Sequence, residues 1–340
     1  MRILLCAFLL YLSALQGGLP PEVQEVIAGF MREKQIPGLA AALYFNGQSY
    51  LINFGYAHPK MEKPVSAETI FEIASLTKVF TSEALAMELL QGKMQLNEPV
   101  TDYLGLGRQI PLGQVSLQHL ATHTASLPRV PPGGHYTQDK VLHYFGLHWR
   151  PEWPIGTRYL YSNVGFGLLG YALANVEGIG YYQVLEKLIL QPLGMHSTWI
   201  VVPPAMQGSY AQGFTQQGGY AQEYPLNAWP AGGALRSTSR DMLKFLLANL
   251  NVEGPEPLRK AMQVAQQGVF RVNEHLTLGL GWQRFQGEKV LFVDKNGGVD
   301  GFSSYIGMVP EKKMGVVLLA NRAGTEITEA GRHLLRVLAR

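Results

Sequence analysis

Three short stretches of this 340-residue chain hold residue types that could carry out acyl transfer together. The first is Phe71-Glu72-Ile73-Ala74-Ser75-Leu76-Thr77-Lys78. A serine hydroxyl is a poor nucleophile until a neighbouring base takes its proton. Apolar residues at Leu76, Val79, Phe80, Ala84, Met87 and Leu90 keep helical spacing until Gly92. This predicts Ser75 in the first turn of a buried helix, with Lys78 on the same face one turn later. The lysine could act on Ser75 directly or tune another base, and the helix N-terminus favours a developing oxyanion. The second stretch is Tyr161-Ser162-Asn163, ahead of a helix expected from near Phe166. A phenol titrates near pH ~10 and is a feeble base unless cations favour its ionised form. Lys78 and a second lysine would supply that field, and Asn163 offers a donor and an acceptor to a peptide-like substrate. The third is Lys295-Asn296-Gly297-Gly298, at the end of a strand expected over residues 290–294. A strand edge can pair with a substrate backbone, and glycines permit close approach. Lys295 would hold a substrate carboxylate and favour the tyrosinate at Tyr161. The N–H groups of Ser75 and Gly298 could form an oxyanion hole. Each stretch alone is weak: composition produces Ser-x-x-Lys about once in a chain of this length.

The elements that must bring these stretches together are readable in outline. After Pro20-Pro21 a helical stretch runs to about Glu33, and strand-like runs at 39–45 and 48–54 flank Asn46-Gly47, a two-residue hairpin signal. Near the other end lie strand-like runs at 289–294, 302–309 and 314–320, then a helix over 326–338. The middle carries helix signals at 116–123, 166–175 and 181–190. Thr238 followed by Asp241 reads as a capping box opening a helix over 242–250. The expected fold is α/β of the α+β kind. One antiparallel sheet, built from both termini (residues 19–100 plus 265–340), is flanked by helices, and a mainly helical region, 101–264, is inserted into it. The cleft between the two parts is the expected site.

Bulk composition excludes several functions. Hydrophobic residues make up 47% and charged residues 16%, which suits a folded globular chain. The net charge of +3 comes from 28 basic against 25 acidic residues, with no basic run, so no nucleic-acid partner is expected. Met1-Arg2, the apolar run 3–15 and the small residues Ser13, Ala14, Gly17 and Gly18 read as a secretory signal of about residues 1–18. That run is too short to span a bilayer. Export to the periplasm or the medium is expected, with no stable membrane span after cleavage, and a monomer is favoured. Cys6, the single cysteine, lies inside the signal, so the mature chain has no disulfide, thiolate metal site or cysteine nucleophile. The nine histidines form no His-Glu-x-x-His, and His143 and His148 lack one-face spacing, so no metal is expected. Neither Gly-x-Ser-x-Gly nor a nucleotide-binding Gly-x-x-x-x-Gly-Lys-Ser/Thr occurs.

Taken together and in this order, the three stretches resemble the serine β-lactamase and penicillin-binding protein superfamily, with its Ser-x-x-Lys, second motif and Lys-Thr-Gly. Tyr-Ser-Asn in place of Ser-Asp-Asn resembles the class C β-lactamase branch, with its D-alanine peptidase and family VIII carboxylesterase relatives. The resemblance extends to Leu120-Ala121-Thr122-His123-Thr124, Pro192-Leu193-Gly194-Met195, Ala231-Gly232-Gly233, Gly279-Leu280-Gly281-Trp282 and Leu319-Ala320-Asn321. It implies a Ser75 nucleophile, Lys78 as its companion, Tyr161 as general base and Asn163 as a substrate ligand. It further implies Lys295 as the third-motif lysine, oxyanion amides from Ser75 and Gly298, and no metal or organic cofactor. Substrate contacts are expected at Asn163, Asn296, Gly297 and Gly298. Asn296 stands where class C enzymes usually carry Thr. The segment Ser126-Leu127-Pro128-Arg129-Val130-Pro131-Pro132 looks more like AmpH-type D-alanyl-D-alanine carboxypeptidase/endopeptidases than resistance enzymes. The implied substrate is a D-alanyl peptide of peptidoglycan or a β-lactam. A carboxylesterase and a penicillin-binding sensor that hardly turns over are the alternatives.

Overall fold

The computed structural model describes residues 19–131, 137–225 and 229–340, so the signal and Pro132 lie outside the described residues. The described residues form eleven strands: β1 Gly38–Phe45, β2 Gln48–His58, β3 Lys63–Pro64, β4 Phe71–Glu72, β5 Arg236–Ser237, β6 Phe270–Arg271, β7 Leu276–Leu278, β8 Gln283–Gln286, β9 Leu291–Val299, β10 Phe302–Val309 and β11 Met314–Ala320. Nine form one antiparallel sheet in the order β3-β2-β1-β11-β10-β9-β8-β7-β6, and β4 pairs with β5 apart from it. The terminal runs therefore meet at its centre, where β1 lies against β11 with Leu39 opposite Ala320. Asn46 and Gly47 both take positive φ, 50° and 76°, which the tight β1–β2 turn requires.

The helices are α1 Pro21–Glu33, α2 Thr77–Leu90, α3 Val100–Leu104, α4 Leu117–Ala121, α5 Gln138–Leu147, α6 Asn163–Glu177, α7 Tyr181–Leu185, α8 Ser239–Asn249, α9 Glu256–Gln266 and α10 Ile327–Leu338. Pro21 opens α1, where its missing N–H costs nothing. Thr238 accepts from the Asp241 N–H and caps α8, as its spacing predicts. The period-two alternation of β1 sorts the sheet's two cores. Leu39, Ala41 and Leu43 pack with Val23, Ile27, Leu334 and Leu335 under α1 and α10. Ala40 and Ala42 face the larger core, with Phe80, Phe245, Val317 and Leu319. There α2 is buried nearly all round, and Phe80 stacks on Phe245 of α8 at 3.8 Å. Each such fully buried side chain contributes about 1.5–3 kcal/mol of transfer free energy. The predicted fold class, one large antiparallel sheet flanked by helices, is the one observed.

Two local differences bear on the site. The helix after Ile73 begins as a 3₁₀ turn, Ala74–Leu76, so Ser75 stands just ahead of α2 rather than within it. The strand expected to stop at Asp294 continues to Val299, which puts Lys295-Asn296-Gly297-Gly298 inside β9. Pairing with β10 carries it on: Gly297 lies opposite Ser304 and Gly298 opposite Ser303. Two glycines in a row read as a turn in sequence, but the β10 backbone completes their ladder.

Candidate active site

Ser75 is set on a bent piece of backbone. Ala74 before it has φ 47°, a left-handed conformation that an alanine adopts at a cost of about 1 kcal/mol. The bend is held by Thr77, whose hydroxyl donates to the Ala74 carbonyl at 2.7 Å and accepts from the Leu235 N–H at 3.0 Å. Ser304 on β10 donates to the Ile73 carbonyl at 2.8 Å. Strand β9 closes against this turn at Gly297. A Cβ there would lie 2.6 Å from the Ile73 oxygen and 2.8 Å from the Ser75 nitrogen, so only glycine allows the approach. Nothing lies within 4 Å of a Cβ built on Gly298.

Lys78 reaches back from the first turn of α2 and is wholly buried. Its Nζ donates to Asn163 Oδ1 at 2.8 Å and to the Gly232 carbonyl, and lies 3.2 Å from Ser75 Oγ. Burial holds this amine well below the usual lysine range, and the positive charges of Lys295 and Arg129 push the same way. In its neutral form the amine would keep two N–H groups, matching the Asn163 Oδ1 and Gly232 oxygens, and leave a lone pair for the serine hydroxyl.

Tyr161 and Asn163 arrive together because Ser162 caps α6. The Ser162 hydroxyl accepts from the Gly165 N–H at 2.9 Å and donates to the Pro128 carbonyl at 2.7 Å. Helix α6 therefore starts at Asn163, three residues earlier than the apolar spacing suggests. The Tyr161 hydroxyl donates to Ser75 Oγ at 2.6 Å. Its ring centroid is 4.8 Å from Lys78 Nζ, 5.1 Å from Lys295 Nζ and 5.6 Å from Arg129 Cζ. The sequence reading expects Lys78 and Lys295 to draw the phenol toward its ionised form. Burial, the largest influence, outweighs the bond to Ser75 and the Arg129 charge and raises the phenol above its ordinary value.

Lys295 enters from β9 through strand alternation. Its neighbour Asp294 points to the α10 side, accepting from Arg332 Nε at 2.7 Å and the Tyr305 hydroxyl at 3.1 Å. Lys295 faces the opposite way and is buried, and burial pushes its ammonium down to about 8, with Asp294 partly offsetting. Among the described residues it makes no hydrogen bond or ion pair. Asn296 is exposed, with no side-chain hydrogen bond among the described residues. Ser75, Lys78, Tyr161 and Asn163 thus form one hydrogen-bonded cluster, with Lys295 against the Tyr161 ring and Gly297 behind the Ser75 amide.

Two residues that the resemblance includes but gives no role also take part. The Gly232 carbonyl is a backbone acceptor, which no residue type announces. His123 is buried, accepts from the Ser162 N–H through Nδ1 at 3.1 Å, and lays its ring 4.5 Å from that of Tyr161. Burial, then Lys295 and Lys78, hold His123 well below its ordinary range, so it is a neutral support for the phenol.

The family model described as Beta-lactamase matches residues 23–340, all but the first 22 residues of the chain. The chain belongs to the beta-lactamase family. A beta-lactamase of Lysobacter lactamgenus is 30% identical over 365 residues, covering 95% of this chain and 94% of the relative. A solved class C beta-lactamase superposes with a TM-score of 0.87 at 27% identity, covering 92% and 94%. The beta-lactamase/D-alanine carboxypeptidase of Pseudomonas syringae gives 0.86 at 27%, covering 92% and 97%. This beta-lactamase family member is class C-like, and it is a serine hydrolase.

Proposed function

We propose that Ser75 is the nucleophile of an exported penicillin-recognising hydrolase that cleaves D-alanyl peptide or β-lactam amide bonds through an acyl-enzyme. The observation that carries this reading is the convergence on Ser75 Oγ of the Lys78 amine at 3.2 Å and the Tyr161 hydroxyl at 2.6 Å. Neutral Lys78 takes the Ser75 proton as Oγ attacks the carbonyl carbon. The Ser75 and Gly298 N–H groups hold the oxyanion. Tyr161 gives its proton to the leaving nitrogen, the amide bond breaks, and a phenolate remains beside protonated Lys78. In the second half the phenolate takes a proton from water, hydroxide attacks the acyl carbon, and Ser75 leaves with the Lys78 proton. Both groups are then restored. Asn163 and Asn296 bind the substrate's amide and carboxylate, and Lys295 anchors the carboxylate. Export rests on the pattern of residues 1–18, and peptidoglycan stem peptides are the periplasmic substrate that suits the chemistry.

The test is a panel of nitrocefin, a D-Ala-D-Ala peptide and a short-chain nitrophenyl ester, each with wild type and Ser75→Ala. Turnover of the peptide or nitrocefin, lost in Ser75→Ala, is expected. Turnover of the ester alone assigns a carboxylesterase instead, and an acyl label retained for hours assigns a sensor.

A further inference from the structure

Beside Lys295, Arg129 is a second cation at the site, and the proposed chemistry does not use it. Its carbonyl accepts from the Asn163 N–H at 2.9 Å, and the preceding Pro128 carbonyl is bonded by Ser162. These two bonds tie its backbone to the loop that carries Tyr161 and Asn163. Its guanidinium lies over the Tyr161 ring, 5.6 Å from the centroid. The residue is exposed, and among the described residues its side chain has no hydrogen bond or ion pair. No acidic side chain hydrogen-bonds or ion-pairs Lys78, Lys295 or Arg129 among the described residues. The Arg129 guanidinium and the Lys295 ammonium therefore flank the Tyr161 ring with no acidic side chain bonded to either among the described residues, which favours a substrate that brings more than one negative charge.

Resting on the serine-hydrolase reading above, we propose that Arg129 is a specificity-determining residue that binds a second anionic group, on the acyl half of the substrate. Lys295 already claims the carboxylate of the leaving half. The backbone bond from Asn163, a proposed ligand of the substrate amide, sets Arg129 beside the other half. A guanidinium fixed over a ring presents its planar fork to a carboxylate, with five donors that no internal acceptor occupies. The preferred substrate class is an acyl chain bearing a free carboxylate near the scissile carbonyl, as in a stem peptide with an acidic residue there.

The probes are benzylpenicillin and its α-carboxy derivative, which differ by one carboxylate on the acyl side chain. Their kcat/KM ratio is measured near neutral pH on wild type, Arg129→Lys, Arg129→Gln and Arg129→Glu. Wild type should prefer the dianion. The ratio should fall about tenfold in Arg129→Gln, the size expected of a partly exposed charge-assisted bond. It should fall further in Arg129→Glu and recover partly in Arg129→Lys. The wild-type preference should also shrink as salt rises from about 0.05 to 0.5 M. This reading needs no variant, so it decides the matter even if a substitution disturbs folding. No wild-type preference for the dianion, or a ratio unmoved by charge reversal, overturns the role of Arg129 while leaving the hydrolase intact. If neither penicillin reacts, the β-lactam reading is what fails. Nitrophenyl hydrogen glutarate against its neutral methyl ester then gives the same ratio, with the same outcomes for Arg129.

Discussion

Replacing Lys78 with methionine is expected to cut the acylation rate by about a thousandfold, the size of a lost general base held in place. Methionine matches the length of the lysine stem and keeps its volume on α2. It removes the lone pair facing Ser75 Oγ and leaves the Asn163 Oδ1 and Gly232 oxygens without their donor. Stranding those two buried acceptors costs about 1–3 kcal/mol each, so melting should fall with activity. The pH profile separates the two effects. A base works only when unprotonated, so wild-type kcat/KM should fall on the acid side as Lys78 takes a proton. In Lys78→Met that acid limb should vanish while residual activity continues. Acylation within tenfold of wild type would remove Lys78 from the base role and return it to Tyr161.

Lys295→Met should reduce kcat/KM for anionic substrates by about a hundredfold, the range of a hydrogen bond between charged groups. A neutral nitrophenyl ester should lose only a few-fold. The same change should stabilise the fold. The buried ammonium is pushed down to about 8, whereas in the unfolded chain it titrates near 10.5. Below about pH 8 both states hold the proton and the full burial penalty applies. Between 8 and 10.5 the unfolded state binds more protons, so this group's destabilisation fades as pH rises. At neutral pH methionine removes a penalty of about 2–3 kcal/mol. In wild type, KM for anionic substrates should rise as pH passes about 8, and in Lys295→Met that rise should be absent. Equal losses on anionic and neutral substrates contradict the carboxylate-anchor role, and a variant less stable than wild type contradicts the burial penalty.

What the sequence showed of this site follows from what each residue does. Ser75 and Lys78 are legible only alongside the other two stretches in order, because Ser-x-x-Lys alone arises about once in a chain of this length. The paired glycines were misplaced as a turn after the strand. Nothing in Gly297-Gly298 alone tells that the β10 backbone extends the ladder to Val299, or that Gly297 must clear the Ile73 carbonyl. The start of α6 was set late because Ser162, a polar cap, interrupts no apolar period. Counting cations around Tyr161 favours a phenolate, but desolvation depends on burial that spacing does not give, and it acts on the lysine and the phenol in opposite senses. The Gly232 carbonyl and the φ of 47° at Ala74 belong to the backbone, which residue identity reports least.

The measurement closest to the central claim is intact-mass and peptide mapping after a short incubation with benzylpenicillin. One penicilloyl adduct should form in wild type and map to the peptide that contains Ser75, and Ser75→Ala should take up none. An adduct on another residue, or equal uptake by Ser75→Ala, would mean that the cluster around this hydroxyl is not where acyl transfer occurs.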